Sequence, residues 1–462
     1  MLSNKFKTTV KIVSGALIII AIAMVLPLFI SLYNHEGNCT KAFGIVALAC
    51  AILGIIGYSL TRKADYTLKT RDGFLVMVNL WIIVPVIGAI PYVLSGEFSS
   101  FINAYFESIS GFTTTGASVA TDVQSLSSAI LFWRGLTEWV GGLGFLIIIS
   151  AILPIPGQSP NKGLLLVYSI FTVAELLLLK VSGLDWLDSF TMSFSTVSTG
   201  GFTNYTDNVM HFANMPVVLI ILGVFMVISA LNIFPLYSLK RRDLKKVFRS
   251  EEVKFFLIVA FGSAILIGVI NALVKSKSIF GGIFTTLSVI STTGFVVENY
   301  TLWPLISQFI LLSLFFVGAC TYSAGGGLKA KNVLIGLKLI ARSFKLKIHT
   351  NRYERLTLSG TELSNDEIIE VTNFTFAYVG MVLLGFFLLS FENQNFTTTF
   401  TSVLACLGNV GPGFGAVADT LAYADFNVFS KLSCAFLMVL GRLEIFPVLA
   451  LFSRHFWNTN KI

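Results

Sequence analysis

The sequence predicts an all-α, polytopic membrane protein made of four repeats, each a membrane helix, a short intramembrane helix and a second membrane helix, preceded by an extra helical hairpin. Two observations support this fold class. The 462 residues are 55% hydrophobic and 12% charged, and the mean hydropathy is +0.81, which lies outside the range of soluble globular proteins. The same three-part pattern also occurs four times. Composition therefore excludes a soluble enzyme, and the repetition indicates assembly from copies of one unit.

The hairpin occupies residues 1–62. Its two apolar segments, 12–32 and 43–60, are long enough to cross a hydrocarbon core, which takes roughly 20 helical residues. The first segment is too long for the core of a signal peptide, and no small-residue cleavage site follows it. We therefore expect it to be retained as the first membrane span.

Four repeats follow, at residues 63–157, 158–245, 246–360 and 361–462. The middle segment of each repeat has only about ten residues, so it can enter the bilayer and return but cannot cross it. Irregular backbone at membrane depth requires burial in protein or a water-filled cavity. Four such segments therefore predict fourfold pseudosymmetry around one pore. The expected first spans are 74–94, 164–181, 253–274 and 368–390, the short segments are 100–110, 185–196, 280–290 and 396–406, and the second spans are 129–153, 216–239, 304–344 and 428–452.

Basic residues predict the orientation of the chain. The net charge is +8, and most of the excess falls in alternate loops, which the positive-inside rule assigns to the cytoplasm. Both termini are then cytosolic, and the short segments enter from outside. Lys41, Lys180, Lys275 and Lys277 are exceptions on the outer side. The basic clusters are Lys5, Lys7 and Lys11, then Arg62, Lys63, Lys69 and Arg71, then 240–249, and then 338–355.

A polar, glycine-centred motif follows each short segment: GFTTTGAS, STGGF, STTGF and LGNVGPGFG. Glycine permits backbone conformations closed to other residues, so successive carbonyl oxygens can turn toward one axis. A ring of carbonyls can replace the hydration shell of an alkali cation, and the C-terminal ends of the short helices add partial negative charge. A loop or a helix contact would explain one motif, but not four in register. The predicted ion-binding residues are Thr114, Thr115, Gly116, Thr199, Gly200, Gly201, Thr292, Thr293, Gly294, Asn409, Val410 and Gly411.

Other polar residues carry weaker predictions. Outer carboxylates would enrich cations near the mouth of the pore, although ordinary solvated loop charge is an equally good interpretation. The five cysteines have no metal-ligand spacing and the four histidines are scattered, which argues against a disulfide framework or a zinc site. The outer carboxylates are Glu107, Asp122, Asp185, Asp207 and Glu298.

Two features interrupt the apolar pattern on the cytoplasmic side. The run GACTYSAGGGLKAK, from Gly318, lies within the second span of the third repeat and predicts a broken helix, with a loop between two ordinary spans as the alternative. Arg442 lies near the middle of the last span, where a charge is costly and usually faces a cavity or a partner. Pairing with Glu138 or Glu444 is the structural alternative.

Taken together, the motifs resemble the Trk/Ktr/HKT superfamily of potassium transporters, and within it the TrkH-type pore-forming subunit. The resemblance covers nearly the whole chain and also includes WVGGLGF at 139–145, GACTYSAGGGLKAKNVL at 318–334 and LGRLEIFP at 440–447. It implies K⁺ as the ion at the filter, a homodimer, and a cytosolic nucleotide-binding regulatory subunit of the TrkA/KtrA kind. It also implies a gating loop beneath the filter. The gating residues it assigns are Ala319, Gly325, Gly326, Gly327, Lys329 and Arg442.

The expected function is K⁺ uptake across the cytoplasmic (inner) membrane through a filter of backbone carbonyls. The alternative is an H⁺- or Na⁺-coupled symporter with alternating access, because repeats and broken helices also occur in those folds. A membrane enzyme lacks the required nucleophile or acid–base cluster, and we expect no organic cofactor and no nucleic acid. Glu138 stands where relatives are expected to carry glutamine or another neutral residue. It would alter cation binding if it faced the pore and matter little at a helix contact.

Overall fold

The structure is a computed structural model that describes residues 4–63, 70–152, 161–232, 247, 249–275, 278–348, 355–418 and 423–457. It confirms the predicted all-helical, multi-span fold class. Seven helices within the described residues are long and apolar enough to cross a membrane. The helices are α1 (Asn4–Tyr33), α2 (Gly37–Leu60), α3 (Thr70–Leu94), α4 (Phe101–Phe112), α5 (Ser128–Ile152), α6 (Asn161–Val181), α7 (Trp186–Ser198), α8 (Pro216–Ser229), α9 (Glu251–Lys275), α10 (Ile279–Ile290), α11 (Leu305–Leu314), α12 (Ala330–Ile348), α13 (Asn365–Leu389), α14 (Phe396–Leu407), α15 (Val428–Arg442), α16 (Phe446–Leu451) and α17 (Arg454–Trp457).

Short elements complete the described chain. Two two-residue strands, β1 (Thr357–Leu358) and β2 (Thr361–Glu362), pair antiparallel just before α13. The 3-10 helices lie at Asn208–Phe212, Tyr300–Leu302, Ser390–Glu392 and Gly415–Val417. The predicted end of the second repeat's last span, at 233–239, lies outside the described residues, as do the basic residues 240–246 and the repeat boundaries at 157–158 and 245–246.

Helices α1 and α2 form the N-terminal hairpin and pack against each other, and α1 also contacts α3 and α5. Glycines allow the close approach within the hairpin: a Cβ on Gly54 would collide with Ile18, and one on Gly57 would collide with the hydroxyl of Ser14. Small residues at a helix contact are the usual means of packing helices in lipid, where no hydrophobic driving force brings them together. Large apolar side chains such as Leu48 and Leu53 remain exposed, as expected of a lipid-facing surface.

Four short helices, α4, α7, α10 and α14, lie inside the molecule with most of their side chains buried. Many of these side chains carry hydroxyls, which is unusual for an interior. In α7, Thr191, Thr196 and Ser198 each donate to the carbonyl four residues earlier, at 3.0, 2.8 and 2.7 Å. A hydroxyl that donates within its own helix is satisfied without water, so its burial costs little. The polar segments can therefore be helical at membrane depth.

The second span of the third repeat is broken. Helix α11 ends at Leu314 and α12 begins at Ala330, and the segment between them contains the GACTYSAGGGLK run. Lys329, immediately before α12, has a φ of +74° and Gly327 has a φ of +82°. The chain therefore turns back within the protein rather than continuing as one helix.

The last span is also broken, so the prediction of one continuous helix over 428–452 is wrong. Helix α15 ends at Arg442, and α16 starts at Phe446. Glu444 and Ile445, between them, have φ values of +57° and +60°, which a right-handed helix cannot contain. Pro447 has no backbone N–H to donate, and it lies in the first turn of α16, the position where a helix accommodates proline most easily. Arg442 is therefore at a helix end, not in the middle of a span.

Candidate functional site

All four short helices end in the same backbone turn. We number these turns in chain order: turn 1 is 114–116, turn 2 is 199–201, turn 3 is 292–294 and turn 4 is 409–411. The first residue of each turn has a left-handed conformation, and the N–H of the middle residue donates to the carbonyl five residues earlier, which is the Schellman ending of a helix. The φ values are +52° at Thr114, +56° at Thr199, +59° at Thr292 and +53° at Asn409. The bonds are Thr115 to Ser110 at 2.8 Å, Gly200 to Ser195 at 2.7 Å, Thr293 to Ser288 at 3.0 Å and Val410 to Ala405 at 2.9 Å.

The glycine that ends each turn packs on the next turn. A Cβ at any of these glycines would come within 3.0 Å of the carbonyl oxygen of the middle residue of its neighbour, closer than real Cβ atoms approach. The glycines also have positive φ values of +76°, +96°, +80° and +90°, which disfavour other residues. The turns thus form a closed ring. The contacts are Gly116 with Gly200, Gly201 with Thr293, Gly294 with Val410, and Gly411 with Thr115.

Side-chain hydrogen bonds hold the turns in place. In turn 1 the hydroxyl of Thr115 lies 2.8 Å from that of Thr113 and accepts a bond from Asn409 Nδ2 of turn 4 at 3.0 Å. Turn 3 repeats the first contact, with Ser291 Oγ 2.9 Å from Thr293 Oγ1. These side chains bond to one another and thereby link turn 1 to turn 4.

Helix α5 supports turns 1 and 2 from behind through the WVGGLGF motif. A Cβ on Gly141 would collide with the backbone of Phe112, and one on Gly142 would collide with Tyr168 and Ser198. The two glycines therefore let α5 lie directly against the ends of α4 and α7. The motif is explained by this close packing rather than by a contact with an ion.

Glu138, one turn before these glycines on α5, lies behind turn 2. Its side chain is fully buried, and its Oε1 accepts a hydrogen bond from the backbone N–H of Phe202 at 3.0 Å. Its carboxyl group contacts Gly200. Among the ion pairs of the described residues none joins Glu138 to Arg442, so that structural alternative is wrong.

Glu107 is not a solvated carboxylate at the mouth, as one interpretation of the sequence allowed. It is fully buried in α4, and its Oε1 lies 2.8 Å from Arg134 Nε of α5. Arg134 also donates to the carbonyl of Thr203 at 2.9 Å, and its guanidinium lies over the ring of Phe202 at 4.3 Å. This ion pair connects the first repeat to the chain after turn 2.

The remaining predicted outer carboxylates are closer to the surface. Asp122, Asp185 and Asp207 are exposed. Asp185 caps α7 by accepting from the N–H of Asp188 at 2.7 Å. Glu298 is half-buried and accepts from Trp303 Nε1 at 3.1 Å. At least two of these acids therefore have a local structural role.

The predicted gating residues are packed against turns 3 and 4. The N–H of Gly326 donates to Thr292 Oγ1 at 2.8 Å, and a Cβ on Gly326 would collide with Asn409. Lys329 is 5% exposed and donates through Nζ to the carbonyl of Gly325 at 2.6 Å. The N–H of Ala319 donates to the carbonyl of Gly326 at 3.3 Å. The segment 319–329 is thus folded onto itself directly beside the ring.

Arg442 joins this segment to two helices. It is 1% exposed, its Nη1 donates to the carbonyl of Ala324 at 2.6 Å, and its guanidinium lies 4.4 Å from the ring centroid of Phe145 on α5. The neighbouring Gly441 packs against the carbonyl of Leu407 at the end of α14. Arg442 therefore holds the segment 319–329 through one carbonyl.

The ring and its supports occur in a chain with clear relatives. A sequence model of the TrkH family, described as cation transport protein, matches residues 40–165 and 252–459, more than half of the chain. The chain belongs to the TrkH family. Similar members are the Trk system potassium uptake protein TrkH of Escherichia coli K12, 31% identical over 98% of this chain and 99% of that protein, and the Trk system potassium uptake protein TrkG of the same strain, 31% identical over 95% and 96%.

The fold agrees with a solved structure of the TrkH family. The crystal structure of the potassium transporter TrkH from Vibrio parahaemolyticus superimposes with a TM-score of 0.92, covers 98% of this chain and 100% of that one, and is 28% identical in sequence. The resemblance inferred from the motifs is therefore confirmed. The chain is a multi-span membrane protein of a transporter family, which is a non-enzyme class.

Sequence reasoning missed two features of this TrkH family member. It did not single out Arg134, although an arginine within the apolar segment 129–153 and an acid in the preceding short segment were a detectable signal for a buried ion pair. It also attributed the unusual backbone to glycine, whereas the first residue of each turn, a threonine or asparagine, is left-handed as well. The available signal was their shared position, two residues before the terminal glycine in all four motifs.

Proposed function

We propose that this protein takes up K⁺ across the cytoplasmic membrane through a selectivity filter made of turns 1 to 4. The observation that carries the proposal is the closed ring, in which each terminal glycine packs on the carbonyl of the next turn. Backbone carbonyls arranged around one axis can replace the hydration shell of K⁺. The ends of four helices, with their partial negative charge, add to the attraction for a cation. The relatives named as potassium uptake proteins support K⁺ as the ion.

The segment 319–329 is the proposed gate. It lies against turns 3 and 4, and Lys329 and Arg442 bring two buried positive charges to it. A positive charge near the path opposes the passage of a cation by Coulomb repulsion. The family resemblance supports a homodimer and a cytosolic nucleotide-binding subunit of the TrkA/KtrA kind that controls the gate. Cytosolic termini and the division into a hairpin and four repeats complete the proposal.

The function is tested by Rb⁺ uptake in a bacterial strain that lacks its own K⁺ uptake systems and expresses this protein. We expect uptake that K⁺ inhibits strongly and Na⁺ inhibits weakly, with the accumulated ion following the membrane potential. Growth on low K⁺ should be restored in parallel. Na⁺ competing as well as K⁺ would refute the proposal, and so would expression at the membrane without Rb⁺ uptake in both the wild type and the gate variant Arg442→Ala. Accumulation that depends on external Na⁺ or on pH at fixed potential would favour the coupled symporter.

Replacing Arg442 with alanine is expected to raise Rb⁺ uptake under conditions where the wild type is closed. The substitution removes the bond to the carbonyl of Ala324 and a buried positive charge beside the path. An increase of about tenfold corresponds to ~1.4 kcal/mol in favour of the open state. Arg454→Ala is the matched control, because Arg454 is exposed. Equal uptake in the two variants would contradict the role of Arg442 in gating.

A further inference from the structure

The four turns differ at their middle residue. Turns 1, 3 and 4 have Thr115, Thr293 and Val410 there, but turn 2 has Gly200. The backbone does not require this glycine, because Gly200 is not among the residues with positive φ. Its N–H also makes the same bond to the carbonyl five residues earlier as the N–H groups of the other three middle residues. The absence of a side chain at Gly200 therefore needs another explanation.

The explanation is the carboxyl group of Glu138. A Cβ built on Gly200 would lie within 3.0 Å of Cδ, Oε1 and Oε2 of Glu138. Because the equivalent turns have equivalent backbones, this is the direction in which Thr115, Thr293 and Val410 extend their side chains. Glu138 thus reaches from α5 into the space that a side chain of turn 2 itself would occupy.

Glu138 also bonds to the turn that it fills. Its Oε1 accepts from the N–H of Phe202 at 3.0 Å, the residue that follows the terminal glycine of turn 2. The side chain is fully buried and enclosed by protein, so water cannot replace this contact. Turn 2 is consequently held from both sides of Gly201, by a steric contact at Gly200 and by a hydrogen bond at Phe202.

We propose that Glu138 is a positioning residue for K⁺ selectivity, which acts as the missing side chain of turn 2 and fixes the carbonyl of Gly200 in the ring. The inference rests on the proposed function, since it concerns the filter. The carbonyl of Gly200 is the one on which Gly116 packs, so a displacement of turn 2 also reaches turn 1. Loss of Glu138 should therefore affect selectivity more than its distance from the ion path suggests.

This role depends on the shape and hydrogen bonding of the Glu138 side chain rather than on its charge. Glutamine has nearly the same shape as glutamate, and its amide oxygen can accept the bond from Phe202. Glu138→Gln is therefore expected to retain the preference of the wild type for K⁺ over Na⁺. Glu138→Ala leaves a void behind Gly200 and an unpaired N–H, and is expected to reduce that preference by at least about tenfold, which corresponds to ~1.4 kcal/mol.

A swap of the two positions gives the decisive test. In Gly200→Thr the new side chain collides with Glu138, so we expect the K⁺ preference to be lost. In the double variant Glu138→Ala with Gly200→Thr, turn 2 has the same threonine as turns 1 and 3 and the space behind it is free. We expect the double variant to recover most of the K⁺ preference. Gly380→Thr is the control for a threonine at a glycine, since no atom approaches Gly380 within 4 Å.

Two measurements report the outcome for each variant. One is competition of K⁺ and Na⁺ against Rb⁺ uptake in cells. The other is the increase in Tm of the purified protein in K⁺ relative to Na⁺ at equal ionic strength, since a bound ion stabilises the folded state and this readout does not require an open gate. Gel filtration selects the variants that fold.

The outcomes distinguish a failure of the role of Glu138 from a failure of the proposed function. A double variant as impaired as Gly200→Thr, or Glu138→Gln as impaired as Glu138→Ala, would overturn the role of Glu138. The same holds if all variants keep the K⁺ preference of the wild type. If instead the wild type itself shows no K⁺ preference in either measurement, the proposed filter is what fails.

Discussion

Gly116→Ser is expected to lower K⁺ uptake by at least about tenfold and to raise Na⁺ permeation relative to K⁺. A Cβ at this position would collide with the carbonyl of Gly200, so the ring can accept serine only by moving a carbonyl of the proposed filter. The φ of +76° at Gly116 adds roughly 1–2 kcal/mol of strain for an L-residue. Rb⁺ uptake with K⁺ or Na⁺ as competitor measures both effects.

The matched control is Gly262→Ser. Gly262 is in α9, and a Cβ there would meet no atom within 4 Å, so this variant should transport as the wild type does. If Gly116→Ser matched the wild type in the amount of protein in the membrane, the rate of Rb⁺ uptake and the preference for K⁺ over Na⁺, turn 1 would not be part of the filter. If both variants lost transport together, the cause would be a general effect of serine on membrane insertion, which the amount of protein in the membrane would reveal.

Arg134→Met is expected to be the most destabilising substitution at the site. It leaves Glu107 as a fully buried carboxylate without its partner, and breaking a buried ion pair in this way costs about 3–5 kcal/mol. The bond to the carbonyl of Thr203 and the contact with the ring of Phe202 are lost as well. We expect a marked fall in Tm and in the yield of monodisperse protein. Thermal unfolding in detergent, followed by gel filtration, measures both.

Arg355→Met provides the comparison for a pair that is open to solvent. Arg355 and Glu362 have side chains that are 64% and 46% exposed, and such pairs contribute about 0–1 kcal/mol. The double variant Glu107→Gln with Arg134→Met removes both charges and should recover part of the lost stability. An Arg134→Met protein as stable as Arg355→Met would mean that Glu107 does not need a cationic partner.

Repetition made much of the fold predictable. Apolar length identified the seven long helices of the described residues, and the spacing of the four glycine motifs identified the turns, because both depend on patterns that extend over many residues. The break before Ala330 was also predictable, since a run of glycine and polar residues cannot continue a lipid-facing helix. These features follow from the bilayer as a solvent rather than from detailed packing.

Contacts between repeats were not predictable from the same patterns. Whether Glu138 faces a turn or a helix depends on the rotation of α5, which the nearly continuous apolar sequence around it does not specify. The end of α15 at Arg442 depends on Pro447, yet a proline within a span often leaves it intact, as Pro85 and Pro91 do in α3. The left-handed threonines oppose local preference, so only the surrounding structure accounts for them.

The closed ring has a consequence for how such a protein can diverge. A ring of four identical subunits receives every substitution four times, so a glutamate behind one turn would be a glutamate behind all of them. Here a single polypeptide forms four turns of unequal sequence, so one turn can change while the other three keep their contacts in the ring. The pairing of Gly200 with Glu138 is one such change, confined to turn 2. After gene duplication, ion preference could therefore be altered in small, separate steps.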